Sequence, residues 1–218
     1  MKGLIIKDLC LLKNQLNFFY IICIVGIMMA FTNMNLLFIM NYITIIFTMF
    51  ILTTISYDEL DNGRAFLFTL PITKKGYVIE KYVLGILIAA AAWVVSGGIV
   101  LVFTVLRHPG TDITESLISM IFYLIIAIVF LDFTLPVQLK FGVDKSRIAI
   151  IGVVGAVFLV VFAVVKLLEM MGIDLVLIIN SLPSASLAGA ALFAGVGCIL
   201  LTAVSYFASL KIIEKKQY

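Results

Sequence analysis

Residues 14–57 read NQLNFFYIICIVGIMMAFTNMNLLFIMNYITIIFTMFILTTISY and contain no charged residue. A helix needs about 20 apolar residues to cross a hydrocarbon core of roughly 30 Å. The stretch is therefore long enough for two membrane helices, and the polar residues TNMN at 32–35 divide it into predicted spans 17–31 and 36–55. Of all 218 residues, 64% are hydrophobic and 12% are charged, whereas a soluble domain has about 25% charged residues. The composition predicts an integral membrane protein.

Further apolar segments bring the predicted total to six transmembrane helices in an all-α protein with one membrane domain, 1–218. The later predicted spans are 82–106, 117–139, 148–166 and 186–210. Residues 173–182 are apolar too, but about ten residues of helix reach only about 15 Å, half a membrane. We therefore predict an outer re-entrant hairpin at 167–185, before the sixth span.

The basic residues indicate the side of the membrane that each loop faces, because cytoplasmic loops carry an excess of Lys and Arg. With six spans and the N-terminus inside, all but two of the 15 lysines and arginines are cytoplasmic, Arg107 and Lys166 being the exceptions. A seventh span would place Lys211, Lys215 and Lys216 outside. We predict a multi-pass protein with both termini, including the tail 211–218, in the cytoplasm.

The first residues, 1–16, predict a short amphipathic helix along the inner membrane surface. Its apolar residues recur at spacings of four, three and four, at Ile5, Leu9, Leu12 and Leu16. Lys7 and Asp8 are predicted on the opposite, polar face. Charges interrupt any signal-peptide core here, so no cleavable signal is expected.

Residues that carry chemistry are few. The three cysteines show no CxxC spacing, and a single histidine, His108, excludes a histidine-based metal cluster. Phosphate-binding loops and the HExxH and GxSxG motifs do not occur in the sequence. We expect no catalytic residue, no metal, no cofactor bound by this chain and no nucleic-acid partner. The acidic group Asp58, Glu59 and Asp61 is interpreted as a solvated turn and helix cap.

One ionisable residue, Asp132, lies inside a predicted span, four residues before Pro136. Acids within membranes mark transport pathways when they lie deep and have partners. Asp132 is predicted near the inner interface, so the favoured interpretation is an acid satisfied by Thr134 or by a neighbouring helix near a kink at Pro136. A titrating pathway residue is the alternative.

Two predicted cytoplasmic segments, 56–81 and 140–147, carry a resemblance to a known family. The first reads SYDE at its start and LPITK at 70–74, and the motif KY follows at 81–82. The second reads KFGVDKSR. With these motifs in this order and on one predicted side, the chain resembles the permease subunits of ABC-2 type transporters. Its small size and the absence of a soluble domain are most similar to the permeases of the phenol-soluble modulin exporters of Gram-positive bacteria.

The resemblance implies partners and a location. Such a permease pairs with a separate ATP-binding subunit, which holds the ATP and Mg, and exports cargo across the bacterial plasma membrane. It works as a dimer of permease chains, identical or related, with spans one and five at the contact. In the narrower group the cargo is an amphipathic peptide. The segment 56–81 is implied to contact the ATP-binding subunit.

The residues of segment 56–81 also favour a short docking helix. Asp61 is a predicted N-cap for a helix through 64–68, Pro71 ends that helix, and Thr73 is predicted to cap the next one. Apolar anchors framed by charge are typical of binding hot spots. The predicted coupling residues are Glu59, Arg64, Phe66, Leu70, Pro71, Thr73, Lys74 and Lys75, joined by Lys140, Gly142, Lys145 and Arg147 of the second segment. Insertion of 66–68 into the membrane surface is the alternative.

The sequence leaves three hypotheses for the function of the protein. The leading hypothesis is the transmembrane subunit of an ATP-driven exporter. The second is an ATP-independent carrier that uses Asp132, and the third is a membrane immunity or assembly protein without transport activity.

Overall fold

The computed structural model describes residues 2–32, 34–60, 63–107, 113–170 and 184–216, and regular structure within these ranges is entirely helical. This confirms the predicted all-α class for the described residues. The helices are α1 (Lys2–Asn14), α2 (Leu16–Phe31), α3 (Leu36–Glu59), α4 (Gly63–Thr69), α5 (Lys74–Arg107), α6 (Ile113–Met170) and α7 (Ser184–Lys215). The helix predicted through 64–68 corresponds to α4, and the helix predicted to follow the cap Thr73 corresponds to α5.

Among the described residues, four helical segments are long and apolar enough to cross a bilayer on their own. They are Leu36–Glu59, Lys74–Leu106, Leu117–Gly142 and Gly189–Lys215. Helices α1 and α2 are bent by 58° relative to each other and add a fifth candidate if they are one broken span. Predicted spans 17–31 and 148–166 fall on α2 and on the later part of α6. The total of six crossings stays a prediction.

Several helix ends contact one another on one face of the bundle. Asp8 of α1 pairs with Lys81 near the start of α5, and the Lys74 ammonium donates to the carbonyl oxygen of Lys216, just after α7, at 2.8 Å. Both described ends of the chain therefore contact the beginning of α5. This arrangement is the one that an even number of crossings requires.

The predicted cytoplasmic segment 140–147 lies where α6 divides into two helical stretches joined at a kink. Helix α6 continues through Pro136 and departs from helical dihedrals at Gly142 (φ 73°, ψ −177°). Only glycine adopts this conformation readily, because it has no Cβ. The change of direction at Gly142 falls inside the predicted connection 140–147, while the predicted kink near Pro136 stays a prediction.

Helices α3, α5 and α6 meet around a buried core, to which α1 and α7 contribute one residue each, Leu4 and Ile213. Two glycines allow the close approaches. A Cβ at Gly85 would lie 2.3 Å from Leu131 Cδ1, and one at Gly26 would lie 2.6 Å from Ile43 Cδ1. In α7, by contrast, a Cβ at Gly189, Gly195 or Gly197 would meet no described atom within 4 Å. Tight packing is therefore concentrated at the centre of the bundle.

Helix α1 packs with its charged side inward, contrary to the predicted polar outer face. Leu4 and Asp8 are buried, whereas Ile6 and Leu9 are exposed. Because Asp8 finds cationic partners, a buried charge replaces the solvent-facing one that periodicity favoured. The predicted outer hairpin at 167–185 and the predicted cap Asp61 fall on residues that lie largely or wholly outside the described ranges.

Candidate functional site

The short helix α4 forms the exposed centre of the coupling segment. The side chain of Phe66 is 66% exposed and that of Leu70, one residue after α4, is 42% exposed. By contrast, Phe68 packs edge-on against Tyr77, with ring centroids 5.8 Å apart. The helix therefore holds one aromatic side chain on the protein and presents another outward.

A buried ion pair fixes α4 to the end of α3. Arg64 is 3% exposed, and its Nη1 lies 2.6 Å from Glu59 Oε1. The guanidinium carbon also lies 6.0 Å from the centroid of the Tyr77 ring. Since a buried, charge-assisted hydrogen bond holds its geometry better than a solvated one, the direction in which Phe66 points is set by Arg64.

Glu59 also joins the two predicted coupling segments. A Cβ built on Gly142 would lie 3.2 Å from Glu59 Oε2, so the backbone of α6 passes directly over this carboxylate. The two segments, distant in sequence, thereby form one surface around Glu59. Among the other predicted residues of 140–147, Lys140 lies over the exposed Phe141 ring at 5.1 Å and Lys145 is exposed. The side chain of Arg147 lies outside the described part of the structure.

The start of α5 confirms one prediction and qualifies another. Thr73 Oγ1 accepts a hydrogen bond from the Gly76 N–H at 3.0 Å, as expected for an N-cap. Lys74 instead donates to the carbonyl oxygens of Glu214 and Lys216, at 3.3 and 2.8 Å. Cations at a helix C-terminus satisfy its unpaired carbonyls. Lys74 thus caps α7, while its neighbour Lys75 is exposed.

The tail after α7 is also part of this surface. Desolvation by partial burial, together with the positive charge of Arg64, lowers the pKa of the Lys216 ammonium, which Glu59 partly opposes. The C-terminal tail, α4 and the end of α3 therefore influence one another electrostatically.

Beneath this surface lies a buried charge cluster that the sequence analysis assigned to a solvated turn. Lys81 is fully buried and contacts Asp58 Oδ2 at 2.9 Å, Thr54 Oγ1 at 3.1 Å and the Asp8 carboxylate. Lys7 pairs with the same Asp58. Asp58 is 4% exposed, so the interpretation of this residue as part of a solvated turn is wrong. Its partners stabilise the charge that water was expected to solvate.

Two tyrosine hydroxyls form further buried hydrogen bonds near this charge cluster. Tyr77 donates to Asp58 Oδ2 at 3.0 Å. Tyr82 shares hydrogen bonds with Ser205 at 2.5 Å and Ser209 at 2.9 Å, on α7. The motif residues that carry the family resemblance, SYDE and KY, are therefore the residues that tie α3, α5 and α7 together.

Asp132 receives one hydrogen bond from a neighbouring helix, as the favoured interpretation predicted in part, and none from Thr134. Thr202 of α7 donates to Asp132 Oδ2 at 2.8 Å, while Thr134 bonds back to the Phe130 carbonyl at 2.8 Å. Asp132 is 5% exposed, and its Oδ1 is buried without a hydrogen-bond partner in the described part of the structure. The Thr202 contact links α6 to α7, and the alternative of a titrating pathway residue stays a prediction.

Two cavities lie near these residues. One of about 670 Å³ lies between α5, α6 and α7 and is lined by apolar side chains together with Tyr82, Thr202 and Tyr206. The other, of about 440 Å³, lies between α3 and both halves of α6. Its wall mixes hydroxyl and amide groups with aliphatic ones; the lining residues are Met49, Leu52, Thr53, Ser56, Gln138, Ser146, Ile150 and Ile151. In the described ranges, no group of three or more His, Cys, Asp or Glu residues is arranged to hold a metal ion.

Sequence reasoning missed Lys7 and Lys81 as partners of Asp58, and Asp8 as a second acid that pairs with the same two lysines. The signal available was the presence of charges of both signs on the predicted amphipathic helix α1, close in sequence to a membrane span. A buried Asp or Lys is rarely found without a partner. Opposite charges on two segments predicted at the same membrane side were therefore candidates for pairing.

Comparison with known proteins gives one result at the level of the family. A family model described as ABC-2 family transporter protein matches residues 3–214, nearly the whole chain. No curated protein and no solved structure matches the chain.

Proposed function

The chain belongs to the ABC-2 transporter family, and on that premise we propose that it is the permease subunit of an exporter whose α4 surface docks on a separate ATP-binding subunit. Membership of the family implies an ATP-binding partner and a membrane location. The chain itself contains no phosphate-binding loop motif. The ATP and Mg used by the transporter are therefore assigned to the partner.

The docking proposal rests on the exposure of Phe66 on α4, the helix that the Arg64–Glu59 ion pair joins to the end of α3. A large aromatic side chain that is 66% exposed is unfavourable in water, whereas the Arg64–Glu59 pair keeps it from folding back. Rigid aromatic anchors framed by charge dominate the energy of protein interfaces. Leu70 and Lys75, both exposed, extend the same surface.

Insertion of Phe66 into the membrane surface is the alternative explanation of its exposure. Co-expression with each ATP-binding-cassette subunit of the source genome, followed by purification in detergent, separates the two. We expect one such subunit to co-purify and its ATP hydrolysis to rise in the presence of the permease. Failure of all of them to bind, with the permease folded, would contradict the proposal.

We further propose that the cargo is an amphipathic peptide exported from a bacterial cell. The family resemblance of the motifs supports this, as does the cavity of about 440 Å³ beside α3, whose wall is part hydroxyl and part aliphatic. A wall of mixed polarity suits a helix with one polar and one apolar face. Replacing Thr53 with Trp narrows the cavity without touching α4.

A killing assay with amphipathic peptides tests the cargo proposal. Cells that express the exporter should survive more peptide than cells without it, and Thr53→Trp should abolish the difference while the ATP-binding subunit still co-purifies. Equal sensitivity to every peptide tried, with and without the exporter, would contradict peptide cargo and leave the family assignment intact.

Two permease chains, identical or related, are proposed to form the working transporter, with α2 at the contact. Besides the resemblance, an outward row on α2 supports this, since Tyr20, Ile24 and Met28 are each more than half exposed. A single cysteine at Ile24 in a cysteine-free background should give a disulfide-linked dimer in membranes. A monomer alone at native expression would count against this contact.

A further inference from the structure

We propose that the cavity of about 670 Å³ between α5, α6 and α7 binds hydrophobic organic cations, with the Asp132 carboxylate as their counter-charge. Binding at this cavity is independent of the proposed docking of an ATP-binding subunit at α4. It is also independent of the proposed peptide cargo, which was assigned to the other cavity, beside α3.

The cavity has the size and the wall of a site for a hydrophobic molecule. Pockets for small molecules have volumes of about 300–1,000 Å³ and mainly apolar walls with a few polar groups. Here aliphatic side chains from three helices form most of the wall, and none of the described lining residues is charged. A strongly hydrated ion or a sugar would lose its water in this cavity without gaining equivalent contacts.

The position of the cavity allows a ligand to enter from the bilayer. The helical segments that line it are all long and apolar enough to cross a membrane. Two of the lining residues, Val83 on α5 and Ile199 on α7, are exposed, so the cavity reaches the outer surface of the helices. Hydrophobic molecules partition from water into lipid, and the cavity is therefore open to the phase in which they collect.

Asp132 lies at the wall of this cavity. The lining residues Leu124 and Ile128 of α6 are four residues apart, and Asp132 is the next residue at that spacing. Residues four apart lie on the same face of a helix, so Asp132 continues the lining row by one turn. Thr202 of α7 lines the cavity, and its hydroxyl lies 2.8 Å from Asp132 Oδ2. The carboxylate is therefore one hydrogen bond away from a residue of the wall.

The protein itself compensates the charge of Asp132 poorly. Asp132 is 95% buried, since its exposed fraction is 5%, and its Oδ1 has no hydrogen-bond partner among the described residues. Oδ2 depends on the Thr202 hydroxyl, which also lies 2.9 Å from the Cys198 carbonyl oxygen. A hydroxyl has one proton to donate, so Asp132 shares even this donor with the backbone of α7.

A cationic side chain does not supply the missing charge in the described part of the chain. The ion pairs there involve Asp8, Asp58, Glu59 and Glu80, and none involves Asp132. Even Lys81, which precedes a lining residue, is directed to the buried cluster with Asp8 and Asp58. A buried carboxylate without a cation is unfavourable inside a membrane. A cation bound in the cavity removes this cost.

Two tyrosine rings add to the preference for a positive charge. Tyr82 and Tyr206 both line the cavity, with ring centroids 6.0 Å apart and planes at 82° to each other. The face of an aromatic ring attracts a cation. An aliphatic wall, two aromatic rings and a nearby buried acid together select a molecule that is both hydrophobic and positively charged.

The test is binding of radiolabelled methyltriphenylphosphonium to the full-length protein in phosphatidylcholine nanodiscs, with empty nanodiscs subtracted. We expect saturable binding that unlabelled methyltriphenylphosphonium displaces. Triphenylphosphine oxide has nearly the same shape and no net charge, so it measures the contribution of the charge. It should displace the cation at least about tenfold less well, because close charge pairs contribute that much or more to affinity.

Two variants locate the site. Asp132→Asn keeps the acceptor for Thr202 and removes the charge, and it should raise the Kd for the cation at least about tenfold. Gly195→Phe should abolish saturable binding, because Gly195 lines the cavity and a Cβ there meets no described atom within 4 Å. The matched control is Gly197→Phe, whose Cβ is equally unobstructed but which lies outside the described lining. It should bind as the wild type does, as should Glu214→Gln at an exposed position of α7.

The thermal midpoint of each variant shows whether it is folded. If Asp132→Asn does not fold, the comparison of the two ligands on the wild type decides the role of charge. Absence of saturable binding to the wild type would overturn the proposal. Equal displacement by the neutral oxide would also overturn it and show that the cavity takes any apolar molecule, such as a lipid chain. Wild-type affinity in folded Asp132→Asn or in Gly195→Phe would place the cation elsewhere.

Discussion

The Glu59 carboxylate lies directly beneath the backbone of Gly142, so closely that a Cβ on residue 142 would be 3.2 Å from Glu59 Oε2. Glu59 ends α3 and Gly142 is the point at which α6 changes direction. The same carboxylate holds Arg64 of α4 at 2.6 Å. One acid therefore sets the relative positions of three helices at the proposed docking surface.

Gly142→Ala should destabilise the protein, because its dihedrals (φ 73°, ψ −177°) belong to a region that is almost exclusive to glycine. The expected loss is about 1–3 kcal/mol, measured as a lower thermal midpoint in detergent. Gly152→Ala is the matched control, since Gly152 lies in the same helix and a Cβ there meets no described atom within 4 Å. Equal midpoints for the two variants would show that the kink does not depend on glycine.

Lys81→Met should be strongly destabilising, since it leaves Asp8 and Asp58 buried without their shared cation. Breaking a buried pair from one side costs about 3–5 kcal/mol. Lys211→Met, at an exposed position of α7, should change stability by less than about 0.5 kcal/mol. If the two variants unfold at the same temperature, the buried cluster does not hold α1 and α3 to α5.

Lys74 and Lys75, adjacent in sequence, should give different phenotypes. Lys75→Glu should slow association with the ATP-binding subunit and alter its salt dependence, because exposed charges mainly govern the rate of encounter. Lys74→Glu should lower the thermal midpoint, because Lys74 caps α7 through the Glu214 and Lys216 carbonyls. Association kinetics and thermal unfolding of both variants check this; indistinguishable behaviour would contradict the separate roles.

The predicted topology places Lys215 inside and Asp112 and Met171 outside. Single cysteines at these three positions in a cysteine-free background can be labelled in intact cells with a membrane-impermeant reagent. Labelling at 112 and 171 without permeabilisation, and at 215 only after it, is the expected pattern. Labelling at 215 in intact cells would reject cytoplasmic termini.

Features with a local physical cause could be predicted from the sequence. Long apolar segments fix the helices, and Thr73 and Pro71 fix the boundaries around the coupling segment because capping and proline sterics act over a few residues. The positions of Glu59, Arg64 and Phe66 on one short surface followed from the same local pattern.

Long-range pairings could not be predicted in the same way. Asp58 and Asp8 meet their shared partner Lys81 only once three helices have packed, and solvation is the usual state of an acid near a loop. The contact between Glu59 and Gly142 depends on how α3 packs against the kink in α6, and a connection predicted at 140–147 does not by itself identify its packing partner. Lys74 could not be distinguished from Lys75, because the carbonyls that it caps belong to the other end of the chain.

The central claim is that Phe66 and Leu70 bind the ATP-binding subunit, and the dissociation constant of that complex tests it most directly. The permease in lipid nanodiscs is compared as wild type, as the double variant Phe66→Ala with Leu70→Ala, and as Phe207→Ala, whose side chain is also 66% exposed but lies on α7. Truncating an interface anchor costs about 1–3 kcal/mol, so the double variant should raise Kd at least about tenfold. Phe207→Ala should leave Kd unchanged. Wild-type affinity in the double variant, with all three proteins folded, would contradict the claim that α4 is the docking surface.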